Sequence, residues 1–448
     1  MILSDPEVTV IEDAIIFVDL LAEGTGEAPR CLVKVGGLSL LERQLRQLAA
    51  CGVRNARVIS QRFPEVLHKQ LASFRQIPET EILDGRYLEA DLFDENQPFL
   101  VLEESTLIDF RLITEVAATG PEAAIALFPL DEVRYGAAEG LKIETKEGSR
   151  LFASAAKFTG RGFKAAQAHP AFSSLSLRTL IEVGMKSQSC DIVGTDLIAT
   201  YDERVCRERQ ILWRPVTSSV EARRAAEVLL MDTDHGAADW VERFAMPLFE
   251  QLLVLRLAPF RPNRSLVQLT VVALAGLIFL VLASGRPGLG LALAMAMSAG
   301  FGALRRMRGF YLWTQRGLLP EPLIENFSEY LWYFGLAAGL AAMPLGWSAW
   351  GLALAMVVTS WARDKQIEFT TDQLGSNHWR SQGEGRQLSL MGANRNTVLW
   401  LLAPFAVTGL WLHGLILAAI YCAASLMLWQ RYSFRTMRRQ HWPGPEEG

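Results

Sequence analysis

At 448 residues the chain is long enough for two or more domains, and half of it is hydrophobic against 21% charged, more apolar than a purely soluble protein. The formal net charge of −4 divides unevenly: residues 1–250 hold 39 acidic and 27 basic side chains (−12), residues 251–448 hold 9 and 17 (+8). An acidic soluble half joined to a basic, apolar half fits a cytoplasmic head on a membrane domain, and it excludes nucleic acid, which would need a basic stripe on the soluble part.

In chain order, MILSDPEVTV lacks a basic n-region and an apolar h-region, so no signal peptide is expected. DAIIFVDLL (13–21) has strand character, and LSLLERQLRQLAACG (38–52) carries a helical stripe of Leu41, Leu45 and Leu48 ended by Gly52. NARVIS (55–60) and PFLVLEES (98–105) read as further strands, with PEVLHKQLASF (64–74) a helix between them. This alternation predicts a mostly parallel sheet covered by helices, with ligands at the carboxyl ends of its strands. The last helix of the head, VEARRAAEVLLM (220–231), has a start signal in Ser218 with Glu221 three residues on. The five cysteines (Cys31, Cys51, Cys190, Cys206, Cys422) form no C-x-x-C pair and read as reduced thiols, and the six histidines show no zinc-like spacing.

LLAEGTGEAPRCLVKVGGLSLLERQLRQLAACGV resembles the opening of the sugar-phosphate and MobA-like nucleotidyltransferases over about 35 residues. The resemblance implies a Rossmann-like head in which Gly24 and Gly26 let the backbone approach nucleotide phosphates. Arg30 stands where that family's lysine contacts phosphate, and Lys34 is a nearby second cation. The family's metal-binding acids fall on Ser105, preceded by Glu103 and Glu104, and on the segment WRPVTSSVEA, with Pro215 and Thr217 at the acidic positions. Magnesium takes hard oxygen ligands, usually one or two carboxylates plus phosphate oxygens, so nucleotidyl transfer by the family's usual route is not expected.

After MDTDHG (231–236), the stretch 237–258 places Trp240, Phe244, Leu248 and Leu252 at i+4 spacing, with Glu242, Arg243 and Glu250 elsewhere. It predicts an amphipathic interfacial helix kinked near Pro247, or a domain-packing helix. Apolar runs follow at roughly 265–283, 288–304, 322–343, 346–362, 396–412 and 413–430, an expectation of six spans with the polar stretch 363–395 as a loop. Basic residues concentrate in 305–316, 363–395 and 431–439, which places both termini in the cytoplasm of a multi-pass inner-membrane protein.

The stretch SAGFGALRRMRGFYLWTQRGLLPEPLIENFSE (298–329) packs arginines into one turn and sets Glu321, Glu325 and Glu329 at i, i+4 and i+8. Ionisable groups there mark a functional site by default, or they are flanking charges that stop the spans. It resembles the signature of the CDP-alcohol phosphotransferases, as Pro262–Asn263 resembles an element before that family's first span. In that register two aspartates fall on Ser298 and Phe301, the glycines on Gly302 and Gly317, and an Ala-Arg pair on Arg305-Arg306. The last two aspartates fall on Glu321 and Glu325, and the spacer is two residues longer.

Together the halves resemble a fusion of an inositol-1-phosphate cytidylyltransferase with a di-myo-inositol phosphate phosphate synthase. The expected division is a nucleotidyltransferase-like α/β head (1–231), a linker with the interfacial helix (232–264), an all-α six-helix transmembrane domain (265–432) and a cytoplasmic tail (433–448). Three readings follow. In the first, a catalytically degenerate relative binds nucleotide, phospho-alcohol or anionic membrane lipid, with Arg305 and Arg306 as the phosphate site. In the second, a phospho-alcohol is transferred at a rebuilt site with Glu321 and Glu325 as catalytic groups, Glu329 beside them and magnesium as cofactor. In the third, the helices only anchor the head. A homodimer through the membrane domain is a further candidate assembly, and no cofactor is assigned outside the second reading.

Overall fold

The structure, a computed structural model, describes all residues except 1–10, 23–27, 87–91, 121, 130–140, 146–147, 169–176, 195–197, 199–200, 203–206, 209–210, 234–239, 245, 313–318, 342–345, 375–382 and 442–448. Two compact units divide the chain: residues 1–200, 209–232 and 310–315 form one, residues 201–208, 233–309 and 316–448 the other.

The first unit is built on β1 (Asp13–Phe17), β2 (Asn55–Ser60), β3 (Glu79–Asp84), β4 (Pro98–Glu103), β5 (Ala123–Pro129), β6 (Lys142–Thr145), β7 (Gly148–Thr159) and β8 (Cys190–Val193). Their order is β8-β5-β7-β4-β1-β2-β3, with β6 beside β7. The pairings β1–β2, β1–β4, β2–β3 and β5–β8 are parallel; those of β7 with β4, β5 and β6 are antiparallel. Alternation along the strands separates two cores. Ala14, Ile16, Leu100 and Leu102 face one layer, Ile15, Phe17, Phe99 and Val101 the other. Both faces are covered, which is why β1 reads as a continuous apolar run.

Helices α1 (Leu40–Ala50), α2 (Pro64–Leu71), α3 (Phe110–Ala118), α4 (Gly160–Gln167), α5 (Leu177–Ser187) and α6 (Ser219–Asp232) complete the unit. Ser39 caps α1 by accepting from the Glu42 N–H, and Leu41, Leu45 and Leu48 are buried, the stripe expected from the sequence. In α6 the cap is also present: the Glu221 N–H donates to Ser218 Oγ at 3.3 Å.

Apart from an antiparallel pairing of Tyr201–Asp202 with Arg207–Glu208, the second unit is helical: α7 (Trp240–Phe244), α8 (Met246–Leu257), α9 (Arg264–Ala283), α10 (Pro287–Tyr311), α11 (Glu321–Leu340), α12 (Gly346–Leu374), α13 (Gly383–Met391), α14 (Arg395–Thr408) and α15 (Trp411–His441). Ala275, Ala337, Ala349, Ala353 and Ala418 are fully buried, so small side chains let the helix backbones approach closely.

Helices stand at all six apolar runs, but among the described residues three are long and apolar enough to cross a membrane: Arg264–Ala283, Pro287–Tyr311 and Trp411–Arg438. α11 is diluted by its glutamates, α12 runs on into charged sequence, and the 14 residues of α14 rise only ~21 Å at ~1.5 Å each. The stretch 363–395 is not the loop expected. α12 continues through Leu374, and α13 follows from Gly383. Polarity there does not end the helix: Lys365 and Glu368 pair one turn apart at 2.5 Å on the exposed side, while Arg363 and Thr370 are buried. α15 likewise continues past 433, where the tail was expected to begin.

Candidate functional site

The carboxyl ends of β1 and β4 lie side by side, and the polar groups of the first unit converge there. Glu104, 3% exposed, accepts at Oε1 from the backbone N–H groups of Asp19 and Leu20 at 2.7 and 2.6 Å. Its Oε2 is buried with no hydrogen-bond partner among the described residues. Burial, reinforced by the charges of Asp19 and Glu103, pushes the Glu104 carboxyl up to about 8 against the hydrogen bonds that favour its ionised form. Glu103 is also raised by burial, although Ser154 Oγ donates to it at 2.8 Å and Ser105 Oγ at 3.5 Å. Ser154 sits at φ 66°, where the register of β7 shifts between Phe152 and Ala156; this irregularity turns its hydroxyl onto Glu103 and receives the Trp213 indole N–H at 3.2 Å.

The two positions where the resemblance puts metal acids do meet. Residues 106–108 pair antiparallel with 213–215, and the Val216 N–H donates to the Ser105 carbonyl at 2.8 Å. Ser105 and Thr217 are both buried there. The Thr217 N–H and hydroxyl each donate to Glu221 Oε2 at 2.7 Å, and these bonds outweigh burial to hold the Glu221 carboxyl below its usual range. A pair of hydroxyls on strand ends is a poor donor set for magnesium, so the residues at 105 and 217 do not fit that ion.

Of the expected phosphate-binding groups, Gly24 and Gly26 lie outside the described residues. Arg30 begins a short 3-10 turn; its Nε donates to the Leu21 carbonyl at 3.3 Å, and its charge acts on both Glu103 and Glu221. Lys34 is exposed, in a strand of two residues turned back at Gly36 and Gly37, whose φ values of 61° and 84° suit glycine. Lys34 borders a cavity of about 400 Å³ lined by Ala22, Ala28, Pro29, Leu32, Val33, Ser219 and Arg223. Arg223 and Ser219 are the lining residues that sequence reasoning missed. They belong to α6, which looked from its periodicity like a domain-closing helix and nothing more.

In the second unit, Arg305 and Arg306 face acids from the helices that precede α9. Arg306 Nε donates to Glu250 at 2.6 Å, both side chains 2% exposed. Arg305 donates to Glu242 at 2.6 Å and lies 3.6 Å from Glu325. Glu321 accepts from Arg264 at 2.6 Å and lies 3.8 Å from Arg308. Glu325 accepts from Arg395 at 3.2 Å. Ser298 and Phe301 meet the same guanidinium: Arg395 Nε donates to Ser298 Oγ at 3.2 Å and lies 4.3 Å above the Phe301 ring. Glu329 accepts the Tyr333 hydroxyl at 2.5 Å.

A built-in cation thus stands among the four positions that the resemblance gives to aspartates. One hydroxyl, one phenyl ring and two carboxylates already facing guanidiniums do not fit a divalent ion. Among the described residues no group of three or more His, Cys, Asp or Glu is placed to hold a metal. Arg395 and Glu250 were missed from the sequence, because each lies far along the chain from the stretch that it completes.

No family model matches the sequence, and no curated protein matches it. Among solved structures, the chain is similar to the inositol-1-phosphate CTP transferase from T. maritima, at 12% identity over 51% of this chain and 98% of that one, with a TM-score of 0.37. It is also similar to HddC from Yersinia pseudotuberculosis, at 12% identity over 48% of this chain and 98% of that one, with a TM-score of 0.35.

Proposed function

We propose that the chain is a membrane protein with a nucleotidyltransferase-like head that binds a phosphate-bearing ligand, a nucleotide or a phospho-alcohol, without releasing pyrophosphate from it. The observation that carries this reading is the cavity of about 400 Å³ in which Lys34 and Arg223 stand on a largely apolar wall. A concave apolar site with a few converging polar groups is where a small ligand is expected, and two cations select an anionic one. The hydroxyls of Ser105 and Thr217 supply no carboxylate for a metal-assisted step. In the helical unit, Arg305 and Arg306 are the matching seat for a phosphate or an anionic lipid head group. Transfer at Glu321 and Glu325 is the weaker alternative, because Arg264, Arg308, Arg305 and Arg395 already oppose those carboxylates.

Titration calorimetry of the detergent-solubilised full chain with CTP and UTP tests the head. Binding should appear without magnesium, and Lys34→Ala or Arg223→Ala should weaken it about tenfold, one lost charge-assisted bond of roughly 1.5–3 kcal/mol. Magnesium-dependent release of pyrophosphate from either nucleotide in the presence of an inositol or sugar phosphate would overturn the reading.

A further inference from the structure

The helices α7 and α8 turn much of their apolar surface outward and bury two acids on the inner face, beside Val241, Met246 and Val254. Leu248, Phe249 and Leu252 are 77%, 64% and 61% exposed, while Glu242 and Glu250 are buried. Each buried acid meets one of two adjacent guanidiniums, Glu242 on Arg305 and Glu250 on Arg306, both at 2.6 Å. The meeting depends on one small residue: a Cβ at position 302 would collide with the Glu250 carboxylate, so Gly302 is what admits it. Burying two carboxylates is costly when an apolar face was available to bury, and it returns its cost only through the geometry of the pairs.

We propose that α7 and α8 form a carboxylate gate over the phosphate seat, Glu242 and Glu250 occupying Arg305 and Arg306 until a phosphate group displaces them. The inference rests on the anion reading of those two arginines. The shared ligand chemistry is a phosphate oxyanion, from free phosphate or from a phospholipid head group. A carboxylate and a phosphate ask the same thing of a guanidinium, two in-plane acceptor oxygens, so the internal acid competes for the same donors. While the gate is closed, apparent affinity for an outside anion falls by the fraction of molecules that are open. The outward apolar face stays in contact with lipid as the gate moves, so the surface newly uncovered is the inner one, Val241, Met246 and Val254 beside the two acids.

The experiment uses the full chain with two independent openings of the gate. Glu242→Gln with Glu250→Gln removes the competing charges, and Gly302→Ala pushes Glu250 aside with no charge change. In detergent, calorimetry with inorganic phosphate should show roughly tenfold tighter binding to each variant than to the parent, and Arg306→Gln added to either should remove the gain. In nanodiscs, hydrogen exchange of peptides covering 246–257 should quicken when phosphatidylglycerol replaces phosphatidylcholine if the head group is the source, and on adding phosphate alone if it is not. Gel filtration identifies any variant that fails to fold, and the other then decides. Equal phosphate affinity in parent and folded variants would overturn the gate and leave the seat. No binding of phosphate or response to phosphatidylglycerol in any of them would remove the seat and the gate with it.

Discussion

At the scale of single residues, Glu104 is the most informative side chain in the head. It ties the backbone just after β1 to the end of β4, and burial raises its carboxyl to about 8 from 4.5. A raised carboxyl binds a proton in the folded state that the unfolded chain has released, so its contribution is fully present below about pH 4.5 and is lost as pH rises through about 8. Glu103, shifted in the same direction, adds to the effect. The head should therefore lose stability between pH 5 and 8 by at most about 1.4 kcal/mol per pH unit through Glu104, and Glu104→Gln should flatten the slope. Hydrogen exchange of peptides spanning 98–103 across that range measures it, and an unchanged slope in the variant would assign the loss to other groups. None of this was legible in VLEEST, where Glu103 and Glu104 read only as neighbours of a missing acid. Their partners lie far along the chain, Ser154 for Glu103 and the backbone at Asp19 and Leu20 for Glu104.

Among the elements, the apolar strands β1, β2 and β4 and the helix α1 were legible, whereas the strands β3 and β5 to β8 and the helical course of 363–391 were not. Apolar runs as short as AIIF and FLVL, rich in β-branched and aromatic residues, fit strands buried on both sides better than helices, and the helical period of α1 is equally plain. The stripe of Trp240, Phe244, Leu248 and Leu252 was also legible as one face of a helix, but periodicity does not say which face turns inward. In water the apolar face would be buried. Here it is outward, and the acids are inward, the arrangement expected of a helix that packs by polar contact and faces lipid. Which face holds α8 is testable by cost. Glu250→Ala should destabilise the protein in micelles by about 3–5 kcal/mol, because it strands Arg306 without its buried partner. Phe249→Ala should cost under about 1 kcal/mol, since that ring is mostly exposed already. Replacing both partners, Glu250→Leu with Arg306→Met, should recover most of the loss. Denaturant titrations monitored by tryptophan fluorescence give all three values, and a larger cost for Phe249 than for Glu250 would mean that the apolar face does the holding.

For the whole molecule, the open quantity is the number of membrane crossings, and parity separates three or five from four or six. Three helices have the length and composition to cross, while six helices stand at the apolar runs. Residues around Arg308 and those of α15 near Arg431, Arg435 and Arg438 are basic, whereas the turn between α9 and α10 carries Arg286 alone. If α9 and α10 cross a membrane, the positive-inside rule would put Arg286 outside and Arg308 inside. If α15 is the next crossing after α10, its C-terminal end emerges outside, three basic residues with it. If α11, α12 and α14 also cross, an even number is restored and that end stays inside. The charge bias favours the even count, since carrying Arg431, Arg435 and Arg438 across opposes the rule. Glutamates on α11 do not forbid it: Glu321, Glu325 and Glu329 face arginines or a tyrosine hydroxyl rather than lipid, and paired ionisable groups are tolerated inside a bundle. Single cysteines at Arg286 and Arg438, in a background with the native cysteines changed to serine, separate the cases in intact cells with a membrane-impermeant maleimide. Position 286 should label from outside and position 438 only after permeabilisation; outside labelling at 438 would make the number of crossings odd, so that either none or two of α11, α12 and α14 cross, and would reject six.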